Sequence, residues 1–152
     1  MPQFFRLLRS RAFITSSFLL CSCQAGFGNP ALLPCEEIAQ VISKTEEFSL
    51  RTGRAGSEYR AEKIEILANT LAELKIEDEA LKGYRDRLVE LYKQSSDLWR
   101  QEAAFVAIDG TITAERGDYV AYQQVSRQQA SITIAVQEQH NAVNIHCEKL
   151  AS

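Results

Sequence analysis

The fold follows from residues 78–108, which read DEALKGYRDRLVELYKQSSDLWRQEAAFVAI. Apolar residues recur there every seven positions, with two more at companion positions: Tyr84, Leu91, Leu98 and Phe105, and Leu81 and Leu88. This spacing is typical of a helix that packs along a bundle seam. Asp78 can cap the first turn. We therefore predict a long helix whose seam loosens at its far end, where Ser95 and Glu102 replace the apolar companions.

Three further stretches have apolar residues at helical spacing, and they predict helices over 35–51, 58–74 and 118–149. The first break, residues 52–57, contains two glycines and ends at Ser57, which can cap the second helix. Asp118 can cap the fourth helix. The sequence thus predicts an all-α, up-down-up-down four-helix bundle over residues 35–149, with helices 3 and 4 longer than helices 1 and 2.

The first 22 residues predict an export signal. Three arginines, at positions 6, 9 and 11, precede an apolar run of about ten residues that ends at Cys21. A membrane-spanning helix needs roughly 20 apolar residues, whereas a signal peptide needs only a run of this length. We therefore expect residues 1–22 to be removed.

The end of this signal, Leu20-Cys21-Ser22-Cys23, resembles the lipobox of bacterial lipoproteins. The resemblance implies that Cys23 carries the lipid and becomes the first mature residue. Residues 23–34 would then be a lipidated tether, on the periplasmic or thylakoid-lumenal face of a membrane. The alternative is soluble secretion with cleavage after Ala25.

Cys35 and Cys147 are the two cysteines outside the signal and its lipobox. An exported protein meets an oxidising compartment, so we predict a disulfide between them; two free buried thiols are the alternative. A three-helix bundle would hold these residues tens of ångströms apart, whereas a disulfide needs Cα atoms within about 7 Å. The predicted bridge therefore favours four helices, which return the chain to its start.

Composition argues against several classes of function. Loss of residues 1–22 leaves 14 basic and 20 acidic residues, so no nucleic-acid partner is indicated.

His140 and His146 lie on different helix faces, and we predict no metal site and no cofactor. The turn Asp109-Gly110-Thr111 is similar to part of a phosphatase motif, but Ala107 stands where the nucleophile belongs. We expect no enzymatic activity.

The predicted lengths suggest that helices 3 and 4 extend beyond helices 1 and 2 by more than a dozen residues. Four aromatic residues fall in the excess: Trp99, Phe105, Tyr119 and Tyr122. They predict a partner-binding surface, unless helices 1 and 2 extend and cover it. The main hypothesis is a membrane-tethered bundle that binds a protein partner, as an assembly or accessory factor. The alternative is a small-molecule or pigment carrier with a cavity near Ser95 and Glu102.

Several segments together resemble a family of small exported helical proteins of cyanobacteria whose function is unassigned. They are Cys35 at a helix start, Leu74-Lys-Ile-Glu-Asp78-Glu-Ala-Leu81-Lys-Gly-Tyr84, Leu91-Tyr92, Ser95-Ser96 and Val143-Asn-Ile-His-Cys147. The resemblance implies export and a helical fold, and it brings no catalytic residues. The architecture is also similar to the lumenal bundle lipoproteins that attend photosystem II, a likeness of fold only.

Overall fold

A computed structural model describes residues 32–45, 48, 53–113 and 118–152. Within these residues the chain forms four α-helices, which are α1 (Leu33–Ser43), α2 (Gly53–Glu73), α3 (Glu79–Ala103) and α4 (Asp118–Ala151). Paired extended backbone in the same residues is limited to one bridge between Val106 and Ile112. The predicted signal, most of the tether and Cys23 lie outside the described residues.

The helices form the predicted up-down-up-down bundle. α3 packs against α2 on one side and α4 on the other, and α1 packs between α2 and α4. The predicted order of lengths is confirmed, since α1 and α2 have 11 and 21 residues and α3 and α4 have 25 and 34.

In the predicted seam Leu81, Leu88, Leu91 and Leu98 are buried and Tyr84 and Phe105 are half-buried, and the seam contributes to a core shared by all four helices. The largest side chains of this core with under 2 % exposure come from all four helices: Ile38, Leu71, Leu81, Leu88, Leu91 and Val143. Asp78 caps α3 as predicted, because its carboxylate accepts a hydrogen bond from the backbone N–H of Leu81 at 2.6 Å. Fully burying side chains of this size contributes roughly 1.5–3 kcal/mol each, which fixes the register of the four helices.

The predicted disulfide is present. Cys35 in the first turn of α1 is bonded to Cys147 near the end of α4, with their Cα atoms 5.9 Å apart. Cys35 is buried and belongs to the apolar core. The bridge therefore holds the short first helix against the end of the last one.

The predicted end of helix 1 and the predicted start of helix 2 are wrong. α1 ends at Ser43 rather than at residue 51, and α2 begins at Gly53 rather than at residue 58. Gly53 has a φ of 72°, and the N–H of Arg54 donates to the carbonyl of Ala107 at 3.0 Å. This long-range bond gives the first turn of α2 an acceptor, so Ser57 lies buried inside the helix instead of capping it.

Helix 3 also ends earlier than predicted, at Ala103 rather than at residue 108. A hydrogen-bonded turn follows. In it the backbone N–H of Thr113 donates to the carbonyl of Phe105, and the backbone N–H of Ala107 donates to the carbonyl of Thr111. α3 therefore exceeds α2 by four residues, and the N-terminus of α2 contacts the turn. The expected excess of more than a dozen residues is wrong for α3 relative to α2, because α2 begins five residues earlier than predicted and α3 ends five residues earlier.

Candidate functional site

A cleft lies beside the end of the short first helix. At 1.5 Å per residue, α1 is about 16 Å long and α4 about 51 Å. α1 can therefore fill the corner between α2 and α4 only near the disulfide. A cleft of about 520 Å³ adjoins its end and is lined by residues of α1, α2, α3 and α4. Its volume falls in the range of small-molecule sites.

The cleft has apolar side chains from several elements and polar groups concentrated on α3 and α4. The apolar part is formed by Ile42, Phe48, Ile64, Trp99 and Val136. The polar groups of α3 and α4 are Tyr92, Ser95, Gln129, Thr133, Gln137, His140 and Asn144. Apolar side chains beside placed hydrogen-bonding groups are the usual components of a ligand site.

Tyr92 and His140 form a buried pair in this wall. The Tyr92 hydroxyl lies 2.8 Å from His140 Nε2, and the two rings meet edge to face. Burial raises the pKa of the Tyr92 hydroxyl and lowers the pKa of His140. Both groups are therefore neutral at pH 7, and this part of the wall carries no charge.

Gln129 lines the cleft, and its amide is incompletely bonded. Its Nε2 donates to Ser95 Oγ at 3.1 Å, while its Oε1 is buried and has no hydrogen-bond partner among the described residues. The oxygen and nitrogen of a glutamine amide exchange places on a half-turn of the last torsion. In either orientation one amide atom lacks a partner, which costs about 1–3 kcal/mol unless a ligand or water supplies one.

Arg60 and Trp99 form a contact at the α2–α3 side of the cleft. The guanidinium carbon lies 4.6 Å from the centroid of the indole ring, within the range of a cation–π interaction. Arg60 Nε also donates to the carbonyl of Phe48 at 3.3 Å. These contacts hold the guanidinium in place and join the residues after α1 to α2 and α3.

The structure separates the four aromatic residues predicted to bind a partner. Tyr122 contacts Phe105 and Tyr119, with ring centroids 6.2 and 6.3 Å apart, and these three rings form the distal patch. Trp99 instead lines the cleft beneath Arg60. Tyr119 is 46 % exposed, and its neighbour Val120 is more exposed still.

The two polar positions that suggested a cavity also have different surroundings. Ser95 lines the cleft. Glu102 lies against α2, where Ser57 Oγ is 3.3 Å from its carboxylate; burial raises the pKa of Glu102, partly offset by Ser57 and by the charge of Arg60. Only Ser95 therefore belongs to the cleft.

Other chemistry considered from the sequence has a structural explanation. The Asp109 carboxylate accepts hydrogen bonds from the N–H and hydroxyl of Thr111, so it closes its own turn. His146 Nε2 lies 3.0 Å from the Asp78 carboxylate. Among the described residues, no three histidine, cysteine or acidic side chains are grouped to hold a metal ion. None of the helices in those residues has the length and apolar character to cross a membrane.

Sequence reasoning missed Gln129 and His140, although one signal points to them. They continue the spacing of Val125, Val136 and Val143 along α4, at offsets of three or four residues. Polar side chains at such positions face the bundle interior, where polar groups need partners. The sequence therefore shows that polar residues interrupt the apolar face of α4. It does not show which residues of α3 they contact.

These features define the class of the protein as a disulfide-closed four-helix bundle with a polar-walled cleft. No protein-family model, curated protein or solved structure matches the chain.

Proposed function

We propose that this protein is a non-enzymatic, exported carrier that binds a small molecule in the cleft beside α1. The observation that supports this proposal best is the cleft itself, with a volume of about 520 Å³ and an incompletely bonded amide in its wall. The unpaired amide adds nothing to the stability of a packed bundle, since buried polar groups are normally hydrogen-bonded. A bound ligand would supply the missing apolar and hydrogen-bonding contacts.

The location of the carrier is part of the same proposal. The signal-like residues 1–22 and the lipobox-like Cys23 support attachment to an exported face of a membrane, in the periplasm or the thylakoid lumen. Labelled fatty acid should then enter the wild type and not Cys23→Ala, and the variant should move to the soluble fraction. Equal labelling of both would reject the tether and leave the cleft proposal intact.

Native mass spectrometry tests the carrier directly. Thr133 is an exposed residue of α4 that lines the cleft, so Thr133→Phe should fill the cleft without disturbing the core. Ile134 is 62 % exposed and does not line it, so Ile134→Phe is the matched control. Protein purified from its own cells should carry a small molecule in the wild type and in Ile134→Phe. Thr133→Phe should lack it; a molecule retained there, or absent from the wild type, would contradict the proposal.

A second candidate function is protein binding through the distal patch of Phe105, Tyr119 and Tyr122. The specific observation is a cluster of contacting rings in which Tyr119 is 46 % exposed and is followed in the chain by Val120, 66 % exposed. Exposed clusters of this kind mark interaction surfaces. A photo-crosslinking residue at position 119 should capture a single membrane protein that the same residue at Ile145, 54 % exposed and on the opposite end of α4, does not capture. Identical crosslinked products at both positions would exclude the distal patch as a specific binding surface.

A further inference from the structure

The chemistry of the cleft wall narrows the class of ligand, on the assumption that the proposed carrier function is correct.

The charge of the wall favours an uncharged ligand. No carboxylate lies among the described residues that line the cleft, so a cationic ligand finds no counter-ion there. Its cationic side chain, Arg60, donates to the Phe48 carbonyl, lies over the Trp99 ring and interacts electrostatically with the Glu102 carboxylate behind the wall. Tyr92 and His140 are neutral, because burial disfavours the charged form of each. Burial of an ion against such a wall would cost more than burial of a neutral molecule.

The hydrogen-bonding groups favour a hydroxyl on that ligand. The Gln129 amide offers an acceptor in one orientation and a donor in the other, and Ser95 lies 3.1 Å from its nitrogen. A hydroxyl group can donate to the amide oxygen or accept from the amide nitrogen. An ether or a carbonyl can only accept, and an ammonium can only donate. A hydroxyl can therefore serve either orientation of the amide.

The apolar part of the cleft favours a ring. Phe48 and Trp99 line it together with the branched side chains of Ile64 and Val136. An aromatic ring gains offset-stacked or edge-to-face contacts with Phe48 and Trp99 in addition to the burial of apolar area.

We infer that the cleft binds an uncharged, hydroxylated aromatic compound, with its ring against Trp99 and Ile64 and its hydroxyl on the Gln129 amide. Trp99 is the only tryptophan in the chain, so its emission reports binding at the cleft itself.

Three naphthalene probes separate the contributions of the ring, the hydroxyl and the charge to binding. 2-Naphthol is an uncharged phenol at pH 7, naphthalene lacks the hydroxyl, and 2-naphthoate replaces it with a charge. Titration of Trp99 emission should give a Kd for 2-naphthol about tenfold lower than for the other two, the factor expected for one net hydrogen bond. Equal affinity for 2-naphthol and naphthalene, or tightest binding of 2-naphthoate, would overturn the inference.

Two glutamine variants locate the hydrogen bond. Gln129→Met keeps the length of the side chain and removes the amide, so it should abolish the preference for 2-naphthol over naphthalene. Gln128→Met is the control, because Gln128 is exposed and does not line the cleft. A preference retained in folded Gln129→Met would contradict the assigned contact. If Gln129→Met does not fold, the comparison of the probes on the wild type still decides the ligand class.

The outcomes also separate this inference from the carrier proposal. If none of the probes binds but native mass spectrometry finds a molecule lost in Thr133→Phe, the ligand class is wrong and the carrier proposal stands. If neither experiment detects a ligand, both fail.

Discussion

Polar side chains in the bundle interior are the residues that set this molecule apart from a simple packed bundle. Tyr92 is 2 % exposed and His140 is 8 % exposed, and a hydrogen bond between them joins α3 to α4. Removing one member of a buried polar pair leaves the other without a partner. The pair therefore has a consequence for stability that can be measured separately from ligand binding.

Tyr92→Phe should lower the free energy of unfolding by about 1–3 kcal/mol, because it removes the hydroxyl and leaves the buried His140 Nε2 without its hydrogen-bond partner. Tyr119→Phe is the matched control, since Tyr119 is exposed at the distal patch and the same change there should have little effect. Urea unfolding of the two variants measures the difference. Equal stabilities would show that the Tyr92–His140 hydrogen bond contributes nothing.

The protonation of His140 should make stability depend on pH. Burial lowers its pKa in the folded state below the value of about 6.5 of an exposed histidine, so the unfolded state binds more protons between these two values. Stability should therefore fall as the pH drops below about 6.5, until the pH passes the folded-state pKa. Unfolding measured from pH 7.5 to pH 5 should show a smaller loss in His140→Phe than in the wild type. The same loss of stability in both proteins would show that a group other than His140 causes the pH dependence.

At the scale of the helices, the start of α2 depends on the conformation of one glycine. Gly53 has a positive φ, and a Cβ built there would lie 2.5 Å from the carbonyl oxygen of Ile108. Only a residue without a side chain allows the chain to approach the turn after α3 and then enter the helix. The contact closes the end of the α2–α3 pair that lies away from the disulfide.

Gly53→Ala should destabilise the protein by at least about 1 kcal/mol, because alanine is strained at positive φ and its Cβ meets backbone. Gly83 provides the control within α3, where an added Cβ finds nothing within 4 Å. Gly83→Ala should stabilise the protein by roughly 0.5–1 kcal/mol. Thermal unfolding of both variants checks the signs; a harmless Gly53→Ala would mean that α2 starts elsewhere.

The helices were predictable from sequence where apolar spacing is regular, and less so where a distant contact decides an end. Leu81, Leu88 and Leu91 mark the seam of α3 by spacing alone. The start of α2 was not predictable, because two glycines normally interrupt a helix and the bond from Arg54 to Ala107 joins residues 53 positions apart. The cleft depends on the early end of α1 and on Gln129 and His140, and neither their partners nor that end follows from periodicity.

At the scale of the whole molecule, the disulfide closes the bundle. It joins residues 112 positions apart and holds α1, the shortest helix, against α4. An 11-residue helix is marginal on its own in water, so α1 depends on this attachment and on its buried Cys35, Ile38 and Val41. The same helix forms one side of the cleft, so the bridge and the site are coupled.

Reduction of the disulfide should lower the free energy of unfolding by about 4–5 kcal/mol in the chain-entropy model for a loop of this length. Guanidinium unfolding with and without reductant measures the change, and the Cys35→Ala/Cys147→Ala variant provides a form that reductant cannot alter further. A stability unchanged by reduction would show that the two ends are held by packing alone.

A crystal structure of the wild-type protein grown with 2-naphthol tests most directly whether the short first helix leaves a cleft that holds a ligand. We predict density for the probe between Ile64 and Trp99, with its hydroxyl within hydrogen-bonding distance of the Gln129 amide. A structure in which the protein's own side chains fill this space and exclude the probe would contradict the proposed ligand site.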